Sequence, residues 1–503
     1  MSCPRVPMEL WFTILEPMAQ EIVAAKRSNR FIRPGYGALA SVCRHWQHIF
    51  EPKIFEHLTL QAADVQFLNV VVRERRRHLV KHIWFIIEFN MYSSQNSVIH
   101  PHDSLDSIPS HFFWLAINSL FQELSVWGPP YARGDKGVTL ELSMWSPSDN
   151  KYSFQDIDLG EGDWFTSFPE IEDDFERHTF ALHAPTHGWV LGSRVRSATR
   201  MEWQKLRHFI CLEDDIDMPS VVAVTGLLLR RQTRTDLHVS AYNAICARLP
   251  NLAHVHLEMW QEWEEARIKD KTIELGSLVR LAFPPCIERA TLLYDTSEAI
   301  REDLALKVFN CSFILSADEF FEHYLYSTYF YDRPLRAIEA ARAHEFKWFY
   351  MNQFTMTSPS LQPGAPRSKV TQLVYSAGLA ALDMPEVKKF QLWHAGDDYA
   401  SLLSFEKGTW DINEIRLDEE TWDWETDLDK IEPFGYVPIS TWLDFNMDVL
   451  ECEEPVRYTS TILDKNLIKC RGDAMHFLGL GPEIVRPISV HQMRREARGY
   501  AHV

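Results

Sequence analysis

Phe55-Glu56-His57-Leu58-Thr59-Leu60, then Asp64–Arg77, then Ile83–Phe89, are the stretches whose reading decides the fold. The first is a short strand candidate. In the second, Val65, Leu68 and Val72 recur at helical spacing. In the third, Ile83, Phe85, Ile87 and Phe89 alternate strictly, as a half-buried strand does. Together they form a strand–helix–strand unit of about thirty residues.

Similar units recur downstream. Ala241, Tyr242, Ile245, Cys246 and Leu249 predict a helix ended by Pro250, followed by a strand through Leu252, Val255, Leu257 and Met259. Val370, Leu373, Val374, Ala377 and Ala381 predict another helix, ended near Met384-Pro385, with Val387, Phe390 and Leu392 as its strand. Leu249-Pro250-Asn251-Leu252-Ala253-His254-Val255-His256-Leu257 matches Met384-Pro385-Glu386-Val387-Lys388-Lys389-Phe390-Gln391-Leu392 best. A helix, then Leu/Met-Pro-x-apolar, then a short alternating strand resembles a leucine-rich repeat. Such units stack because none can bury its apolar face alone. Further strand candidates are Val138–Met144, His208–Leu212, Arg289–Tyr294 and Leu306–Phe313. Their separations run from roughly 25 to 70 residues, so the repeat is irregular; an ordinary α/β domain with an irregular sheet fits the same residues. Tyr92–Pro109, Glu161–Glu176 and Ser358–Lys369 read as loops, the last flexible through its prolines and Gly364. Leu403–Leu417 reads as two strands around Gly408, and His491–Arg498 as a basic, helix-like tail.

Upstream, Val6–Phe55 reads as two short amphipathic helices. Pro7 suits a first helical position, and Leu10, Trp11, Ile14, Leu15 and Met18 form one apolar face. Leu39, Val42, Cys43, Trp46, Ile49 and Phe50 form a second, expected to stop at Glu51 because Pro52 disfavours helical geometry before it. These faces carry more apolar surface than a hairpin can hide, so the excess meets either the rest of the chain or another protein.

Val6-Pro7-Met8-Glu9-Leu10-Trp11-Phe12-Thr13-Ile14-Leu15, with Leu39-Ala40-Ser41-Val42-Cys43-Arg44-His45-Trp46, resembles an F-box. Val6 and Met8 depart from the motif's frequent Leu and Pro, and the spacer Glu16–Ala38 is longer than usual. The chain also resembles a large fungal family of F-box proteins with a long, uncharacterised C-terminal domain. Segments that carry this are Arg44-His45-Trp46-Gln47, Val224–Arg234, Met384-Pro385 with Leu392-Trp393, and Ser489–Arg498. The resemblance implies an F-box helical domain (1–55), a leucine-rich-repeat-like α/β solenoid (56–400), and C-terminal strands and tail packing on it (401–503). It implies a non-catalytic substrate receptor of an SCF-type cullin-RING ubiquitin ligase. Pro7, Leu10, Ile14, Leu15, Leu39, Val42, Cys43 and Trp46 would face a Skp-family adaptor, and through it a cullin. A non-ligase scaffold held by the same adaptor is the competing expectation.

Composition narrows the partners. Acidic residues exceed basic ones by 19 in 503 residues, which argues against nucleic acid or an anionic membrane as the main partner. The eight cysteines include no C-x-x-C and read as reduced thiols of a cytoplasmic or nuclear protein. No signal-peptide pattern and no apolar run of membrane-spanning length is seen.

No phosphate-binding, nucleophile-elbow or zinc-protease motif occurs, and neither cofactor nor metal is expected. His178, His183 and His187 read as loop histidines, and Glu213-Asp214-Asp215-Ile216-Asp217 as a solvated turn. Arg230, Arg231 and Arg234 follow a core strand. They could take a phosphorylated segment of a target or pair with the chain's own acids. Trp410, Trp422 and Trp424 stand among acids and could form a target-binding surface or a core edge.

Overall fold

The structure is a computed structural model. It describes residues 36–89, 107–130, 136–146, 189–190, 193–194, 209–211, 217–233, 235–260, 286–295, 350–358, 386–396, 399–406, 409–416, 457–462, 471–481 and 483–486, with isolated residues between and after them. Among the described residues, eleven strands make one sheet, and their order in space is their order in the chain. They are β1 (His57–Gln61), β2 (His82–Glu88), β3 (Val138–Trp145), β4 (Val224–Leu229), β5 (His254–Trp260), β6 (Arg289–Asp295), β7 (Gln353–Thr357), β8 (Lys389–Ala395), β9 (Tyr399–Glu406), β10 (Thr409–Arg416) and β11 (Arg457–Ile462). β1 to β8 pair in parallel. β9 and β10 return antiparallel, and β11 adds in parallel. The protein is mixed α/β with a mostly parallel sheet. The sheet runs through residue 400 without a break, because β9 pairs with β8 from Ala400 to Glu406.

A hydrogen-bond motif recurs where these strands begin. The carbonyl of Glu56 accepts from Lys81 N and His82 N at 2.9 and 3.0 Å. Ala253 does the same for Glu288 and Arg289, Glu288 for Asn352 and Gln353, and Asn352 for Lys388 and Lys389. Before β2, β5, β6 and β8 a tight turn closes on Val80, Leu252, Ile287 and Val387, whose N–H groups donate to the carbonyls of Arg77, Leu249, Pro284 and Met384. Val80, Leu252 and Ile287 are fully buried. The repeat is therefore one of backbone geometry, with variable chain length between copies.

The connecting segments supply one side of the core. Helix α3 (Ser107–Ser125) lies between β2 and β3, and α4 (Val239–Ala247) between β4 and β5. Phe113, Ile117, Leu120 and Phe121 of α3 and Ile245 of α4 join one apolar cluster with Ile83, Phe85, Leu140, Leu142, Leu257 and Phe354 of the sheet. These sheet residues sit at alternate positions of their strands, so they define a single face.

Several sequence expectations need correction. The helix expected over Asp64–Arg77 is three short pieces, Ala62–Phe67, Leu68–Val71 and Glu74–Arg77. β-Branched Val70-Val71-Val72 disfavours continuation, and Arg73 is extended. Val65, Leu68 and Val72 are still the buried positions. The second N-terminal helix does not stop at Glu51. A short α1 (Tyr36–Ala40) breaks at 41–43, and α2 (Arg44–Phe55) continues through Pro52. Burial of Phe55 in the sheet's core, and the Glu56 N to Pro52 O bond of 2.9 Å, hold the last turn. Pro109 lies in the first turn of α3 rather than in a loop, a place where its missing N–H costs little. Ser358 and Leu361, in the segment read as flexible, are buried. Strands β7 and β11 and helix α3 were not foreseen. His208–Leu212 gives only Phe209–Ile210, paired with Asp236–Leu237 outside the main sheet. Leu306–Phe313 and Glu161–Glu176 lie outside the described residues. Among the described residues no helix is long and apolar enough to cross a membrane.

Candidate functional site

The other face of the sheet is polar and buried. Register places Trp84 beside Glu141, Glu141 beside Leu228, Leu228 beside His256, His256 beside Thr291, Thr291 beside Thr355 and Thr355 beside Gln391. Glu141, His256, Thr291, Thr355 and Gln391 are all buried. A buried polar group costs free energy unless it is hydrogen-bonded, and this face holds two networks built around carboxylates.

The first is Glu141 of β3. Its Oε1 accepts from Arg230 Nε, and its Oε2 pairs with His82 Nε2 at 2.8 Å. Burial alone would raise this carboxyl, but the charge of Arg230 and the bond to His82 outweigh it and hold it below the usual range. Arg230 also lies over the Trp84 ring, 5.0 Å from its centroid, and Trp84 Nε1 donates to Ser143 Oγ at 2.8 Å.

The second is Glu258 of β5. It accepts from Arg231 N at 3.0 Å, His256 Nε2 at 2.9 Å, Arg486 N at 3.0 Å and Ser489 Oγ. Burial opposes the charge, yet these bonds pull the carboxyl down to about 2. Burial lowers His256, so it stays a neutral imidazole that donates to Glu258. The turn at 230–233 wraps Trp260, whose Nε1 donates to the carbonyls of Arg231 (2.7 Å) and Thr233 (3.1 Å). Arg231 lies 4.3 Å from the Trp260 ring centroid.

Arg230 and Arg231 are thus turned into the protein, Arg230 against the chain's own Glu141, and neither offers a free guanidinium to a target's phosphate. Arg234 lies outside the described residues. Trp410 stands in β10 opposite Phe405, whereas Trp422 and Trp424 lie outside the described residues, as do His178, His183, His187, Asp214 and Asp215. Among the described residues no group of three or more His, Cys, Asp or Glu could hold a metal ion.

Glu141, Glu258, His256, Arg486 and Ser489 were missed as a set. Their signal was present: Leu140-Glu141-Leu142 and Leu257-Glu258-Met259 each place a carboxylate in mid-strand between core residues. Alternation reads such a position as facing solvent, and only the fold shows that the face is covered.

At the N-terminal edge, α1 packs on α2, and α2 on β1. Leu39 is buried in a small cluster with Ile49 and Phe50, and Trp46 packs against it. Val42 is 61% exposed and Cys43 is exposed, both in the break between the helices. Leu39 and Val42 therefore do not share one open face: Leu39 is spent internally and Val42 points outward. Pro7, Leu10, Ile14 and Leu15 lie outside the described residues.

The fold defines a mixed α/β protein whose sheet has one apolar and one polar buried face. Residues 246–486 match the model of a family of unknown function, DUF6546. The match runs from the end of α4 to Arg486, whose N–H reaches Glu258. No curated protein and no solved structure matches the chain.

Proposed function

We propose that the chain is the substrate receptor of an SCF-type cullin-RING ubiquitin ligase, docking a Skp-family adaptor at its N-terminal helices and holding a target protein on the α/β unit. The observation that carries this reading is the presentation of Val42 and Cys43. They stand exposed at a helix break, within the segment that resembles the second half of an F-box, just before a helix fixed to β1 through buried Phe55. An exposed Val beside a half-buried Trp suits a surface that another protein covers. The sheet supports the leucine-rich-repeat-like part of the proposal: eight parallel strands added in chain order, connecting segments packed on one face, and the same turn before successive strands. The chain would perform no covalent chemistry. It would act by proximity, holding a target lysine near a charged ubiquitin carrier.

The test is co-purification of a Skp-family adaptor with the full chain. Wild type should retain it and Val42→Asp with Cys43→Asp should not; retention at the wild-type level by the double variant sinks the proposed surface. Co-precipitation of a cullin separates a ligase receptor from an adaptor-bound scaffold, the second reading.

A further inference from the structure

Where the short helical pieces after β1 meet the end of α3, apolar side chains face water. Phe67, Val70, Val71 and Val126 are each more than half exposed. Phe67, Val70 and Val71 are spaced i, i+3, i+4 and share one side of their turn, while Leu68 and Val72 are buried on the other. Polar links tie these residues into one patch. Asn69 Nδ2 donates to the Glu123 carbonyl at 2.8 Å and to its Oε2 at 2.7 Å, and Asn69 Oδ1 accepts from Trp127 Nε1 at 2.8 Å. Arg77 donates to the Val126 carbonyl at 2.8 Å and to Asn69 Oδ1 at 3.2 Å. Arg76 donates to the Val71 carbonyl at 3.0 Å.

The rim of the patch is basic, in a chain whose net charge is −19. Residues 73–77 hold Arg73, Arg75, Arg76 and Arg77 against Glu74. Arg76 is taken up by Glu51, and Arg77 by Val126 and Asn69. Arg73 and Arg75 are exposed. The Arg75 side chain is 65% so, and stands 3.9 Å from a Glu51 oxygen that Arg76 already occupies.

We propose that this patch docks an acidic amphipathic segment of a partner protein, its apolar side chains over Val70, Val71 and Val126 and its carboxylates on Arg73 and Arg75. Charge and polarity select that occupant together. The exposed valines and Phe67 reward an apolar face, which the phosphate backbone of a nucleic acid lacks, and a nucleic acid would run beyond the rim into the field of a chain with 19 excess acids. A second copy docked through the same patch would set arginine against arginine. Carboxylates suit the two exposed guanidiniums, which pair with them in planar geometry. The inference goes beyond the adaptor reading and does not rest on it.

Fluorescence anisotropy on the full chain tests it, with a labelled amphipathic helical peptide whose leucine face is flanked by glutamates, and a twin with lysines in their place. Wild type should bind the glutamate peptide about tenfold or more tighter than the lysine twin, and less tightly as salt rises. Arg73→Glu/Arg75→Glu should remove that preference. Val70→Ser/Val71→Ser should weaken the glutamate peptide about tenfold. All four side chains are exposed, so melting temperatures should stay near wild type and show that the variants are folded. Val42→Asp/Cys43→Asp should bind the peptide as wild type does, which separates this surface from the adaptor surface. The proposal is overturned if wild type binds the two peptides alike or binds neither, or if the valine variant binds as wild type does. It is equally overturned if phosphatidylserine vesicles are bound and the glutamate peptide is not.

Discussion

Leu257 and Glu258 are neighbours in β5 and point to opposite faces of one sheet. On Leu257's side, connecting helices supply aliphatic and aromatic partners and the interior is held mainly by packing. On Glu258's side, a carboxylate gathers donors from three separate parts of the chain. The apolar face can accept other hydrophobic side chains that keep its total volume. The polar face has no such freedom, because each donor left without its acceptor is penalised in full. The two faces differ less in stability than in how narrowly they specify what covers them.

The sharpest way to break this contrast is Glu258→Ala. It leaves the Arg486 N–H and the Ser489 hydroxyl without their acceptor, and thermal or urea denaturation should register a loss of about 3–5 kcal/mol. Leu257→Ala should cost a similar or slightly smaller amount, about 2–5 kcal/mol, through the cavity it leaves. Exchange rates should tell the two apart, with the first loosening 471–493 and the second the sheet. A loss of strand protection in Glu258→Ala equal to that in Leu257→Ala would erase the distinction.

Glu141→Leu alone should cost about 3 kcal/mol, because it leaves Arg230 charged and buried. Glu141→Leu combined with Arg230→Met should recover most of that loss, since replacing a buried ion pair by apolar side chains is often neutral. A double variant as unstable as the single one would show that the pair specifies the fold here.

Acid should act on the polar face in two stages. Burial lowers the folded-state value of His256. Below the ordinary histidine value, about 6.5, the unfolded chain therefore takes up a proton that the folded one refuses, and stability falls. Glu258 is held at about 2. Its contribution is present above the unfolded carboxyl value, about 4.3, and is lost as pH drops from there toward 2. Denaturation midpoints across this range should show both declines, and Glu258→Gln should reduce the lower one, to which Glu141 also contributes. The smallest effect on stability is expected from Val42→Asp, within about 0.5 kcal/mol, because the side chain already faces water; adaptor co-purification is where that variant should fail.

The strands were legible wherever a core-facing alternation stood alone, as in Ile83–Ile87 and Val255–Met259. The parallel strand–helix–strand unit followed from them. The two strands around Gly408 followed from short-range pattern, whereas their antiparallel pairing and the order of strands in the sheet did not. α3 was not read, since Phe112 to Phe121 is apolar almost throughout and shows little helical contrast. The polar networks were illegible for a different reason. Glu258 and Ser489 are 231 residues apart, and no local pattern links a mid-strand acid to a serine near the far end of the chain. Arg230 and Arg231 were singled out as either target-binding or paired with the chain's own acids, and which of these holds depends on a partner strand that sequence alone does not place.

Because every strand joins the edge left by the one before it, the polypeptide can be laid down in the order in which a ribosome delivers it. Each carbonyl that accepts twice, such as those of Glu56, Ala253 and Glu288, is a seat ready before its occupant is made. Glu258 departs from this order, because more than two hundred further residues must be made before Arg486 and Ser489 can reach it.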